Sequence, residues 1–84
     1  MRFRLIYTRR AAKDIARLDP RARKRIGMAL ARYRDNPFDH LEKISDPELG
    51  SYRLRVGDYR VIVDIEGEDM VVLRVGHRRE IYRR

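Results

Sequence analysis

Arg53, Arg55 and Arg60 flank a Gly57-Asp58 pair within the segment Ser51 to Val63, where apolar and charged residues alternate. Guanidinium groups stay charged and present a planar fork that matches phosphate oxygens, so the chemistry of such a set is oxyanion binding. Gly57-Asp58 reads as a two-residue hairpin turn with glycine first, where a type II′ turn needs positive φ. That register pairs Val56 with Tyr59, Arg55 with Arg60, Leu54 with Val61 and Arg53 with Ile62. Side chains of a strand alternate between faces, so the three arginines share one face while Leu54, Val56, Tyr59, Val61 and Val63 enter a core. Like charges directly opposite one another on a sheet are unfavourable. An anion between Arg55 and Arg60 would relieve that cost. The competing reading is a solvated face in an arginine-rich chain.

A second chemically rich piece is the tail from Gly76 to Arg84, with His77, Arg78, Arg79 and Tyr82. It leaves the last strand at the end of the sheet where Asp58 lies, which places His77, Arg78 and Tyr82 within reach of Arg55 and Arg60. Arg78 and Tyr82 are four residues apart and share a face if the tail forms a helical turn. His40 stands alone without a second histidine at ligand spacing, and no metal or other cofactor is expected. Asp58 is explained by turn chemistry. Asp64, Glu66, Glu68 and Asp69 are expected at the far end of the sheet, keeping it soluble.

The elements that must hold these groups are legible from periodicity. Arg2 to Tyr7 reads as a strand with Phe3, Leu5 and Tyr7 on one face, and Thr8 is placed to cap the helix that follows. That helix runs to about Leu18, with Ala11 or Ala12, Ile15 and Leu18 as its apolar stripe. Asp19-Pro20 opens a second helix carrying Ala22, Ile26, Ala29, Leu30 and Tyr33 at helical spacing. Its outer face holds Arg21, Arg23, Lys24, Arg25, Arg32 and Arg34 and is expected to be solvated. Asn36-Pro37 ends it, and the acidic stretch to about Gly50 reads as a surface loop. After the hairpin, residues 66–69 turn the chain into a last strand, Met70 to Val75. A two- or four-residue loop there puts Val71, Leu73 and Val75 on the arginine face, and an odd loop turns them into the core, so the side taken by Arg74 is open. The expected class is α+β, in the order β-α-α-β-β-β, with two helices on one face of a mainly antiparallel four-stranded sheet.

Composition narrows the setting. Eighty-four residues make one domain, 1–84, with a single modest core. There is no cysteine, which removes disulfides and thiolate chemistry and suits a reducing cytoplasm. No apolar run approaches a membrane span of roughly 18 residues, so a cytoplasmic protein without membrane contact is expected. The net charge is +8, and 18 of the 21 cations are arginine. Residues 2–34 carry +10, residues 35–50 carry −4 and residues 51–84 carry +2. A field of that sign attracts nucleic acid or an acidic protein.

The order of elements, the hairpin from Tyr52 to Ile62 and the run Val75-Gly-His-Arg-Arg-Glu-Ile-Tyr82 resemble the RelE toxins of the RelE/ParE superfamily. The resemblance spans nearly the whole chain, and the two motifs carry most of it. It implies a type II toxin that cuts messenger RNA in the ribosomal A site, by attack of a 2′-hydroxyl on the adjacent phosphate and without a metal. The implied RNA-binding residues are Arg53, Arg55, Arg74 and Arg79. The implied catalytic residues are Arg55, Arg60, Arg78, Tyr82 and His77, with Arg60 and Arg78 stabilising charge on the phosphate. Family members with lysine in the hairpin have arginine here, so proton transfer falls to Tyr82, whose neighbours Arg78, Arg79, Arg83 and Arg84 favour phenolate, or to His77. An acidic antitoxin, mRNA and the ribosome are the implied partners. A ParE-type gyrase inhibitor and a catalytically degenerate nucleic-acid-binding member are the alternatives.

Overall fold

The computed structural model describes residues 2–46 and 48–81. Its order is β1 (Arg4–Tyr7), α1 (Arg9–Ala16), α2 (Pro20–Tyr33), a 3₁₀ turn (Pro37–Asp39), β2 (Glu42–Lys43), β3 (Tyr52–Val56), β4 (Tyr59–Glu66) and β5 (Asp69–His77). The strands form one sheet in the order β1-β5-β4-β3-β2. Among the described residues only the β1–β5 pair is parallel. The α+β class and the helices packed on the sheet are as expected. The sheet has five strands rather than four because the acidic segment is not all loop: Glu42 and Lys43 pair with Arg53 and Tyr52.

The helix ends follow their side chains. Thr8 accepts a hydrogen bond from the Ala11 amide at 3.1 Å and Asp19 one from the Ala22 amide at 2.9 Å, each satisfying an otherwise orphaned N–H of a first turn. Ala11, Ile26, Ala29 and Leu30 of the helices meet Leu54, Val56, Val61, Val63, Met70, Val72 and Val75 of the sheet in one core. Phe3 and Leu5 join it as expected, whereas Tyr7, at the end of an edge strand, is exposed. Burial still raises the Tyr7 pKa above 10.0, against the lowering effect of Arg34.

The last strand resolves its two registers by using both. The β4–β5 turn is Gly67-Glu68, with Glu66 opposite Asp69, so Met70 and Val72 point into the core and Val71 away from it, as a two-residue loop requires. A bulge then leaves Leu73 without a partner, between Val63–Val72 and Ile62–Arg74. The extra residue reverses the alternation and returns Val75 to the core. The arginine side of the sheet is also not wholly polar. Ile62 is completely buried there, beneath Gly50 and beside Leu73.

Candidate active site

The hairpin has the expected register throughout, with Arg55 opposite Arg60 and Arg53 opposite Ile62. Gly57 has φ 60° and, among the described residues, no non-glycine residue has positive φ, which is the type II′ pattern. A Cβ there would lie 2.7 Å from Nη2 of Arg25 and would displace the end of that side chain. Arg25, expected on a solvated helix face, thus rests its guanidinium on the turn. From the other side, Arg60 Nη1 donates to the carbonyls of Gly57 and Tyr59 at 2.8 and 2.9 Å. Gly57 is touched by cations of two elements.

In place of the anion expected between Arg55 and Arg60, the chain supplies separate partners: Arg60 binds the Gly57 and Tyr59 carbonyls, and Arg55 shares Glu42 with Arg53. Arg55 Nε donates to Glu42 Oε1 at 2.6 Å, and Arg53 Nε lies 3.5 Å from the same oxygen. Glu42 was hidden in sequence inside a stretch that looked like loop. Its two-residue pairing with β3 is what carries it to the arginines. The carboxylate offsets the repulsion within the set and is also a group able to accept a proton.

The tail closes on the turn. The Arg78 amide donates to the Asp58 carbonyl at 2.7 Å, and Arg78 Nε is 3.9 Å from the Asp58 carboxylate. The Glu80 and Ile81 amides then donate to the His77 carbonyl at 2.9 and 3.0 Å, forming a single turn that presses the buried Ile81 on Gly76. Arg79 is exposed, and its amide donates to Nδ1 of His77 at 3.2 Å. Tyr82, Arg83 and Arg84 lie outside the described residues.

Two expected members stand apart from the set. His77 is opposite Tyr59, on the helix side of the sheet, with ring centroids 5.8 Å apart, so it faces away from Arg55 and Arg60. The strand end is the expected one, but alternation puts His77 on the face of Tyr59, while Arg78 follows in the turn beside Asp58. Arg74 is drawn toward α1, where its Nε donates to Asp14 Oδ2 at 2.8 Å. The Val75 amide donates to the same oxygen at 3.0 Å. Asp14, 9% exposed, therefore pins α1 to the edge of β5 beyond the end of β1. His77, Arg74 and Asp14 line a groove of about 460 Å³ together with Arg10 and Arg17. The expected solubilising acids have structural partners as well: Asp64 accepts from the Ser51 amide at 2.9 Å and Asp69 pairs with Arg4 at 2.8 Å. Among the described residues no three His, Asp or Glu side chains converge as a metal site.

Two helices packed on a five-stranded, mostly antiparallel sheet match the fold of RelE-like toxins. The chain belongs to the ParE toxin family of type II toxin-antitoxin systems, whose family model matches residues 5–82. It is 25% identical to Toxin RelE3 of Methanocaldococcus jannaschii, with 94% of each chain covered. Among solved structures it is similar to the toxin-antitoxin complex RelBE2 of Mycobacterium tuberculosis, with TM-score 0.80, 23% identity and coverage of 92% of this chain and 99% of that one. It is also similar to the RelB-RelE antitoxin-toxin complex of Methanococcus jannaschii, with TM-score 0.72, 27% identity and coverage of 92% and 94%. The protein is thus a toxin of the RelE/ParE superfamily. No described helix is long and apolar enough to cross a membrane.

Proposed function

We propose that the protein is a ribosome-dependent endoribonuclease that cleaves mRNA in the A site and is held inactive in the cytoplasm by an acidic cognate antitoxin. The observation that carries this reading is the gathering of Arg53, Arg55, Arg60 and Arg78 at one hairpin, with Glu42 against Arg53 and Arg55 and Asp58 against Arg78. In the proposed reaction the 2′-oxygen bonds to the adjacent phosphorus as the bond from phosphorus to the 5′-oxygen breaks. The products are a 2′,3′-cyclic phosphate and a 5′-hydroxyl. Arg60 and Arg78 bind the phosphate and stabilise the charge that grows on it, the largest contribution expected of such a site.

The proton of the 2′-hydroxyl needs an acceptor, and arginine cannot serve at neutral pH. Glu42 is the described residue best placed for this role, since Arg53 and Arg55 hold its carboxylate within the cation set. With Glu42 as the acceptor, Tyr82 is assigned to the leaving 5′-oxygen as a neutral phenol that gives up its proton, in place of the phenolate role expected from its basic neighbours. Arg53 and Arg79 contact neighbouring RNA phosphates. His77 is assigned a lesser part, because it lies across the sheet beside Tyr59. The test is to map RNA ends made in a reconstituted translation reaction. Cyclic phosphates and 5′-hydroxyls within codons, lost on Arg60→Ala, support the reading.

The family match favours one second reading, inhibition of DNA gyrase. In that case mRNA stays intact while the protein blocks supercoiling by purified gyrase. Neither effect from a folded protein would identify a degenerate nucleic-acid-binding member.

A further inference from the structure

The face of α2 that looks solvated in sequence is joined to the hairpin. Between α2 and β3 runs a groove of about 240 Å³ whose lining includes Arg25, Met28, Arg32, Tyr33, Arg55 and Val56. None of its described lining residues is acidic. Arg25 meets Arg60 at Gly57, one on its Cα side and the other on its carbonyl, so positive charge continues over the hairpin tip from the candidate active site to the helix. Arg55 lines the groove along β3, while its guanidinium is held by Glu42. Beyond the groove, Tyr33 stacks on the exposed ring of His40 with centroids 4.1 Å apart and 22° between planes, and the Arg32 guanidinium lies 5.3 Å from the Tyr33 centroid.

Arginines following a line with aromatic rings beside them match the requirements of a single strand, whose phosphates need cations and whose bases need flat partners. An acidic protein segment would use the arginines and the exposed Met28 but would have no use for a stacked ring pair. We propose that this groove is a subsite for the RNA flanking the scissile phosphate: one strand passes over the Gly57 tip, its next phosphates held by Arg25 and Arg32 and a flanking base stacked on His40. The proposal rests on the RNA-cleaving reading and extends it to the segment of strand the protein grips.

The test uses a fluorescent 2′-O-methyl oligouridine, which lacks the attacking hydroxyl and is not cut, titrated by anisotropy over a range of salt. Each phosphate contact on a single strand contributes about 0.7 to the slope of log affinity against log salt, so Arg25→Ala with Arg32→Ala should lower that slope by about 1.4. His40→Ala should weaken binding about tenfold, the scale of one base-aromatic contact, and His40→Phe should restore it. Arg32→Ala is tested alone as well, since Arg25 also touches the turn. Thermal unfolding checks that each variant is folded. An unchanged slope in folded variants overturns the subsite. So does an Arg32→Ala variant that keeps its RNA affinity but loses affinity for polyglutamate, which would assign the groove to a protein carboxylate. Cleavage is scored separately with Arg60→Ala. Loss of cleavage there with unaltered groove variants refutes only the subsite, and a changed salt slope in a protein that never cuts refutes only the reaction.

Discussion

Asp14 is where a single buried carboxylate does the most for the fold. β1 stops pairing at Val72, so the Val75 N–H at the edge of β5 has no strand partner and is bonded instead to Asp14. Asp14→Ala strands that buried N–H, at a cost of about 1–3 kcal/mol. Arg74 loses its partner too. Its side chain is 27% exposed and can rehydrate, so the pair adds at most about 1 kcal/mol. A total of about 1–4 kcal/mol corresponds to a fall in Tm of roughly 4–30 °C in a domain of this size. Asp14→Asn keeps an oxygen for the Val75 amide and should cost only about 1 kcal/mol. Urea unfolding of the three proteins, with equal m-values, measures the difference. Equal losses for Ala and Asn would show that charge rather than the amide bond matters. A loss below about 0.5 kcal/mol for Ala would refute the pinning of α1.

Other consequences are equally exposed. Gly57→Ala should destabilise by about 1–2 kcal/mol from its left-handed φ, and adding Arg25→Ala should relieve only the steric part, as a double-mutant cycle by denaturation would resolve. Glu42→Gln should leave stability within about 1 kcal/mol, because its ion pairs are partly exposed, yet lower single-turnover cleavage by about 10²- to 10⁴-fold. The raised pKa of Tyr7 means that the folded state holds this proton more tightly than the unfolded one. Its contribution is fully present below the unfolded value near 10 and is lost as pH rises through the folded value. Tyr7→Phe should therefore flatten the fall in stability above pH 10, read from urea midpoints.

Local patterns carried the hairpin. Gly57-Asp58 with strict alternation on both sides fixes one register, and the arginine set around it followed directly. The helices were legible from caps and apolar spacing, at Thr8, Asp19 and the stripe from Ala22 to Leu30. What escaped was decided by contacts distant in sequence. A two-residue strand has no periodicity, so Glu42 disappeared into an acidic loop. The bulge at Leu73 lies in a run apolar on both faces, where neither register is penalised in sequence. Asp14 reads as one more polar helix residue until the edge of β5 supplies an amide without a partner. Arg25 was indistinguishable from its neighbours because the feature that selects it is the bare Cα of Gly57, 32 positions away.

Under the proposed function, the cations at the hairpin turn act on a phosphate of ribosome-bound message. The direct measurement is primer extension on mRNA from a reconstituted translation reaction, with wild-type protein and with Arg60→Ala. New 5′ ends within codons, dependent on ribosomes and reduced by orders of magnitude in a variant of unchanged Tm, are the predicted result. Intact message with folded wild-type protein, or equal cleavage by Arg60→Ala, would contradict it.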